Sequence, residues 1–156
     1  MQNIVTAALF VLAAGHAGDA ATVSDFPEGA GVVLGTVAVA DGLRFCSRNA
    51  PTGVSGFWEV PTEDVPPIDV ALLKYMHASR LDKRLKLPTS KYQRQYLGFL
   101  RGERRFVYIN AFPAYFLLAV RDSTKVLPRM CDGGAITWGI EYDVKERRFL
   151  ALAPNF

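Results

Sequence analysis

The sequence predicts an α+β domain, one helix packed on an antiparallel sheet of at least four strands. Three observations carry this. Val65, Ile68, Leu72, Tyr75 and Met76 recur at helical spacing and form one apolar stripe. The stretches that follow are rich in Tyr, Phe, Val and Ile, which fit a pleated surface, and short Gly-containing turns separate them. A helix followed by a run of closely connected strands is the order expected when the helix lies across one sheet face. At 156 residues the chain has single-domain length. Half of it is hydrophobic, enough for a core without metal or many disulfides.

The N-terminus is read as a signal peptide over residues 1–20. Ala7 to Ala14 is an apolar run, and the small residues Gly15, Ala17, Gly18 and Ala20 follow it, as at an A-x-A-like cleavage site. The positive n-region is missing, and the alternatives are a wrongly chosen start codon or an ordinary buried segment. The run is too short for a permanent membrane span. The expected location is therefore periplasmic or secreted. Residues 21–60 form a Gly-rich, partly irregular segment in which Val32 to Ala40 reads as a strand, and residues 61–156 form the α+β domain.

Within that domain Asp64 reads as the helix N-cap. Pro66 and Pro67 then fall in the first turn, where the missing N–H groups have no helical partner to lose. The helix is predicted to end near Ser79. A basic connection, Arg80 to Thr89, leads to the hairpin Lys91–Leu100 and Arg104–Phe112, turning at Gly102. In the first arm Tyr92, Arg94, Tyr96 and Gly98 share a face, with Gln93, Gln95, Leu97 and Phe99 opposite. Neither arm alternates cleanly between apolar and polar, so both faces are expected to be partly covered. Ala114 to Val120 reads as strand or short helix and Val126 to Cys131 as an edge strand. Asp132-Gly133-Gly134 reads as a turn. Ala135 to Asp143 alternates, with Ile136, Trp138, Ile140 and Tyr142 on one side. Asp143 to Arg147 turns the chain into a last strand, Arg148 to Ala153.

Tyr92-x-Arg94-Gln95-Tyr96-x-Gly98-Phe99, Tyr108-Ile109-Asn110-Ala111-Phe112 and Cys131-Asp132-Gly133-Gly134-x-x-x-Trp138-Gly139-x-Glu141-Tyr142-Asp143 together resemble a group of small bacterial exported proteins. The resemblance covers roughly residues 58–156 and implies export, with no activity to transfer. The order of one helix and then an antiparallel sheet also looks like a cystatin-type arrangement, an analogy of fold that carries no activity. Pro113 stands where some members carry a Cys, so no disulfide is carried over from them.

Chemistry-bearing residues are sparse. Beyond residue 20 the only histidine is His77, and no Ser-His-Asp or Cys-His pattern forms around it. Cys46, Cys131 and His77 lack the close ligand pairs of a zinc site, and no phosphate-binding glycine loop is present. No cofactor or metal is expected. Two readings stand for Cys46 and Cys131. Export would allow a disulfide between them; otherwise Cys131 is a strand-end thiol.

The formal net charge is +3, yet nine basic residues fall between Arg80 and Arg105, opposed only by Asp82 and Glu103. Such a field suits an anionic partner; the plainer alternative is a solvated connection and hairpin edge. The expected function is binding, as an inhibitor or accessory protein of the envelope. The expected contact is an aromatic-basic sheet face holding Tyr92, Arg94, Tyr96, Asn110, Asp132, Trp138 and Glu141, and the expected partner an anionic envelope component or a protein. Nucleic acid is a poor partner for an exported chain. The rivals are a small hydrolase and a structural partner domain.

Overall fold

The computed structural model describes residues 31–35, 43, 48–118, 127, 136–150 and 152–154. The described strands are β1 (Gly31–Val33), β2 (Gly56–Phe57), β3 (Tyr92–Arg101), β4 (Arg104–Pro113), β5 (Trp138–Asp143), β6 (Arg148–Phe149) and β7 (Ala153–Pro154), with helix α1 (Val65–Ala78) between β2 and β3. They make one sheet centred on β3, β4 and β5. β3 and β4 pair antiparallel from Tyr92↔Pro113 to Arg101↔Arg104, and β5 continues antiparallel along β4. This is the α+β arrangement the sequence predicts, with one parallel pairing: β1 runs beside Gln95 in the same direction as β3.

The hairpin closes through Gly102 and Glu103. Gly102 has φ +60, the positive φ that a two-residue turn needs at its first central position and that glycine reaches without strain. The other edge of β3 is shared. β1 covers its first half and β2 pairs antiparallel with Phe99 and Leu100, so strands from segment 21–60 belong to the same sheet as the hairpin.

Helix α1 lies on the face that carries Tyr92, Tyr96, Val107, Ile109, Ala111, Trp138, Ile140 and Tyr142. Val65, Ile68, Leu72 and Met76 are its buried stripe, and Tyr75 packs on Phe149 at 5.1 Å between ring centroids. The start of the helix differs from the prediction. Asp64 has helical φ/ψ and makes no side-chain cap bond, because a 3-10 turn, Thr62–Asp64, has already begun the winding after Pro61. Glu63 and Asp64 instead place their charge near the positive end of the helix dipole. The helix ends at Ser79 as expected. Leu81 N–H reaches Met76 C=O at 2.9 Å and Arg80 N–H reaches His77 C=O at 3.1 Å, a Schellman closure with Arg80 at φ +57.

Two further expectations are corrected. The predicted strand Arg148–Ala153 is interrupted. Phe149 faces Tyr142 and Ala153 faces Gly139, so the outer chain carries one residue more than β5 between those pairs, the signature of a bulge. The strand predicted over Val32 to Ala40 instead starts at Gly31 and stops at Val33, with Leu34 and Gly35 outside it. The run from Ala114, read as strand or short helix, begins as a short 3-10 helix, Ala114–Leu118. The signal peptide, residues 36–40 of the predicted first strand, the strand at Val126–Cys131 apart from Leu127, the turn at Asp132-Gly133-Gly134 and both cysteines lie outside the described residues.

The second sheet face has its own cluster, Leu97, Phe99, Phe106 and Tyr108 under Leu34, Leu43 and Leu127. A sheet covered on both faces explains why neither arm of the hairpin alternates.

Candidate functional site

The structure sorts the predicted site residues onto two buried faces. Tyr92 and Trp138 are both buried and meet edge to face at 5.6 Å. Beside them Arg94, only 4 % exposed, reaches the inward side of α1. Its Nε lies 2.5 Å from Asp69 Oδ1, and its NH2 donates to Asp69 Oδ2 at 2.9 Å. Tyr96 Oη donates to the same carboxylate at 2.5 Å. Burial pushes the Tyr96 hydroxyl well above the ordinary tyrosine range, the adjacent carboxylate pushes it further, and Arg94 partly opposes both. The chemistry of this trio is that of a neutralised buried charge. The Asp69 carboxylate supplies the acceptors that a fixed guanidinium fork needs in a low-dielectric site.

The opposite face holds Asn110 and Glu141. Asn110 Nδ2 donates to Gln95 Oε1 at 2.8 Å, and Asn110 Oδ1 accepts from the Arg48 guanidinium. Gln95, Asn110 and Gly139 stand in one cross-strand row, and Leu97, Tyr108 and Glu141 in the next. Arg48 sits over the Tyr108 ring at 5.8 Å. Burial raises the Tyr108 hydroxyl to about 12, with Arg48 opposing the rise, and burial lowers the pKa of Arg48 itself. Glu141 is held by Arg101 at 2.8 and 3.0 Å. The Arg101 guanidinium also lies 4.7 Å from the Phe106 centroid, a cation–π contact.

Tyr92, Arg94, Tyr96 and Trp138 thus converge under the helix, while Asn110 and Glu141 stand across the sheet from them. Asp132 lies outside the described residues. Because the helix covers their face, Tyr92, Arg94 and Tyr96 do not present an open aromatic-basic surface. A hydrolase built on His77 with Glu141 would need the two to meet, and the sheet separates them. His77 is exposed at the end of α1, with Nδ1 3.3 Å from Asp82 Oδ2. Among the described residues no group of His, Cys, Asp and Glu could hold a metal ion, and no helix is long and apolar enough to cross a membrane.

The nine basic residues between Arg80 and Arg105 divide in the same way. Arg94, Arg101 and Arg104 on the hairpin are each paired with a carboxylate: Asp69, Glu141 and Asp143. Arg105 lies 5.2 Å over the Trp58 ring. The connection after α1 behaves differently. Leu81, Leu85 and Leu87 pack against the core, while Arg80, Lys83, Arg84, Lys86 and Lys91 are exposed. The alternation pins the backbone and turns the cations outward. Sequence reasoning recognised this connection as basic and passed over its leucines, whose spacing is the signal that it is anchored.

Compared with known protein families, curated proteins and solved structures, the chain has no match in any of the three.

Proposed function

We propose that the protein acts by binding an anionic partner on the connection between α1 and β3, as an exported inhibitor or accessory protein of the bacterial envelope. One observation carries this reading. Arg80, Lys83, Arg84 and Lys86 are exposed on a backbone held by three packed leucines, and the one carboxylate among them, Asp82, is engaged with His77. Cations held on an ordered backbone bind an anion without first paying the entropy of ordering the loop. Their summed field also raises the encounter rate. Export is supported by the apolar run Ala7–Ala14 and the small residues after it. The partner classes that fit are an anionic envelope component and an acidic protein.

Binding to polyglutamate, read by fluorescence anisotropy across a salt series, tests the reading. The protein is expected to bind with an affinity that falls steeply with salt. The K83E/R84E/K86E variant, on the exposed side of the connection, is expected to lose binding while keeping its circular dichroism spectrum. Undiminished binding by that variant would refute the assignment.

A further inference from the structure

We infer that the anionic partner is a lipid bilayer surface, met by the outer face of α1 together with the basic connection. The inference rests on the reading above and names the partner class.

The helix has an unusual outer line. Its buried stripe is Val65, Ile68, Leu72 and Met76. At about 100° per residue Lys74 stands opposite that stripe between Val70 and Pro67, while Pro66, Leu73 and His77 lie on the flank beside Val70. Val70 is 53 % and Leu73 37 % exposed, at positions where a surface helix ordinarily carries charge. The helix contains one carboxylate, Asp69, and it is turned inward to Arg94. The next carboxylate in the chain, Asp82, is engaged with His77. From Pro66 to Lys86 the outward groups are therefore aliphatic side chains, Lys74, His77, Ser79 and the cations of the connection, with no unengaged carboxylate among them. Glu59, Glu63 and Asp64 lie before the helix, ~20 Å from its other end.

A convex ridge tipped by Val70 and Leu73 and flanked by cations matches the boundary between headgroups and acyl chains. There aliphatic groups leave water, and Lys and Arg meet anionic headgroups. An acidic protein would satisfy the cations equally well, and its signature is polyglutamate binding without partition onto vesicles.

Sedimentation of the full chain with phosphatidylcholine vesicles, with and without phosphatidylglycerol, tests the inference beside the polyglutamate assay. The apolar run Ala7–Ala14 is common to all variants and cancels in their comparison. The protein is expected to partition onto the anionic vesicles. V70S/L73S is expected to bind them at least about fivefold more weakly while its polyglutamate affinity stays unchanged. K83E/K86E is expected to weaken both, by about fivefold per cation removed. Vesicle binding undiminished in V70S/L73S, or polyglutamate binding with no partition onto vesicles, would overturn the lipid assignment and leave the anion site standing. Absence of binding in both assays would overturn both. Thermal melts of the two variants matching the parent show that any loss is one of contact.

Discussion

Arg94 and Arg101 stand on the same strand and point to opposite faces of the sheet, and each meets one carboxylate. Under the helix, Arg94 is almost wholly enclosed and Asp69 takes it with two oxygens. On the second face the Arg101 and Glu141 side chains keep 28 % and 18 % exposure, and Arg101 also donates to the Thr52 carbonyl at 2.7 Å. The Arg94 guanidinium is out of water and adds the Thr89 and Tyr92 carbonyls, each at 3.3 Å, to its carboxylate; the part-exposed Arg101 divides its contacts among a carboxylate, a carbonyl and two aromatic rings. An enclosed guanidinium that loses its counter-charge stays ionised out of water, whereas a part-exposed one can take water in its place.

The largest expected effect separates the two pairs directly. Asp69→Ala should lower stability by about 3–5 kcal/mol, because it leaves Arg94 charged and buried. Glu141→Ala should cost about 1 kcal/mol. Urea denaturation measures both, and equal losses would break the comparison.

A smaller pair of effects sharpens it. Each face has a glycine beneath an overlying group. A Cβ at Gly98 would lie 2.1 Å from the Trp58 carbonyl oxygen, and one at Gly139 would lie 1.8 Å from the Tyr108 hydroxyl. Both alanine variants are expected to be destabilised by about 1–3 kcal/mol. Gly98→Ala should be the worse, since a backbone carbonyl yields less than the far end of a side chain. Thermal melts showing the reverse order would mean that the second face is the more rigid.

The smallest effects are stabilising. Arg80 closes the helix at φ +57, and Arg147 ends the β5–β6 turn at φ +50. That turn is anchored by the Asp143 carboxylate, which accepts the Lys145 and Glu146 N–H groups at 3.1 Å each. Left-handed backbone strains any side chain with a Cβ. Arg80→Gly and Arg147→Gly are each expected to gain about 0.5–1 kcal/mol by urea denaturation, and a loss at either site would show that the arginine side chain holds contacts of its own.

The helix, the hairpin and β5 were legible because periodicity and turn chemistry are local. Tyr92, Arg94 and Tyr96 were correctly assigned to one face, yet their role was not legible. The partner that neutralises Arg94 lies on α1, and sequence distance hides such a meeting. One signal was present: Asp69 follows Ile68 at the margin of an apolar stripe, where a carboxylate needs a buried cation to be tolerated. The bulge between Phe149 and Ala153 was hidden for a related reason. Register between strands is set by packing across them, and the strand propensity of Arg148 to Ala153 is unbroken.

The divided edge of β3 bears on the order in which the molecule assembles. The β3–β4 hairpin joins neighbours through a two-residue turn and can form early, as local contacts do. Gly31 must find Arg94 from the far side of the helix, so the loop that β1 closes is long and its entropy opposes docking until the hairpin offers a complete edge. Until then the outer N–H and C=O groups of β3 stand open, a template on which a second chain can pair. The early segments therefore act during folding as the strip that seals this edge, and refolding yield is expected to depend on protein concentration more steeply when they are removed.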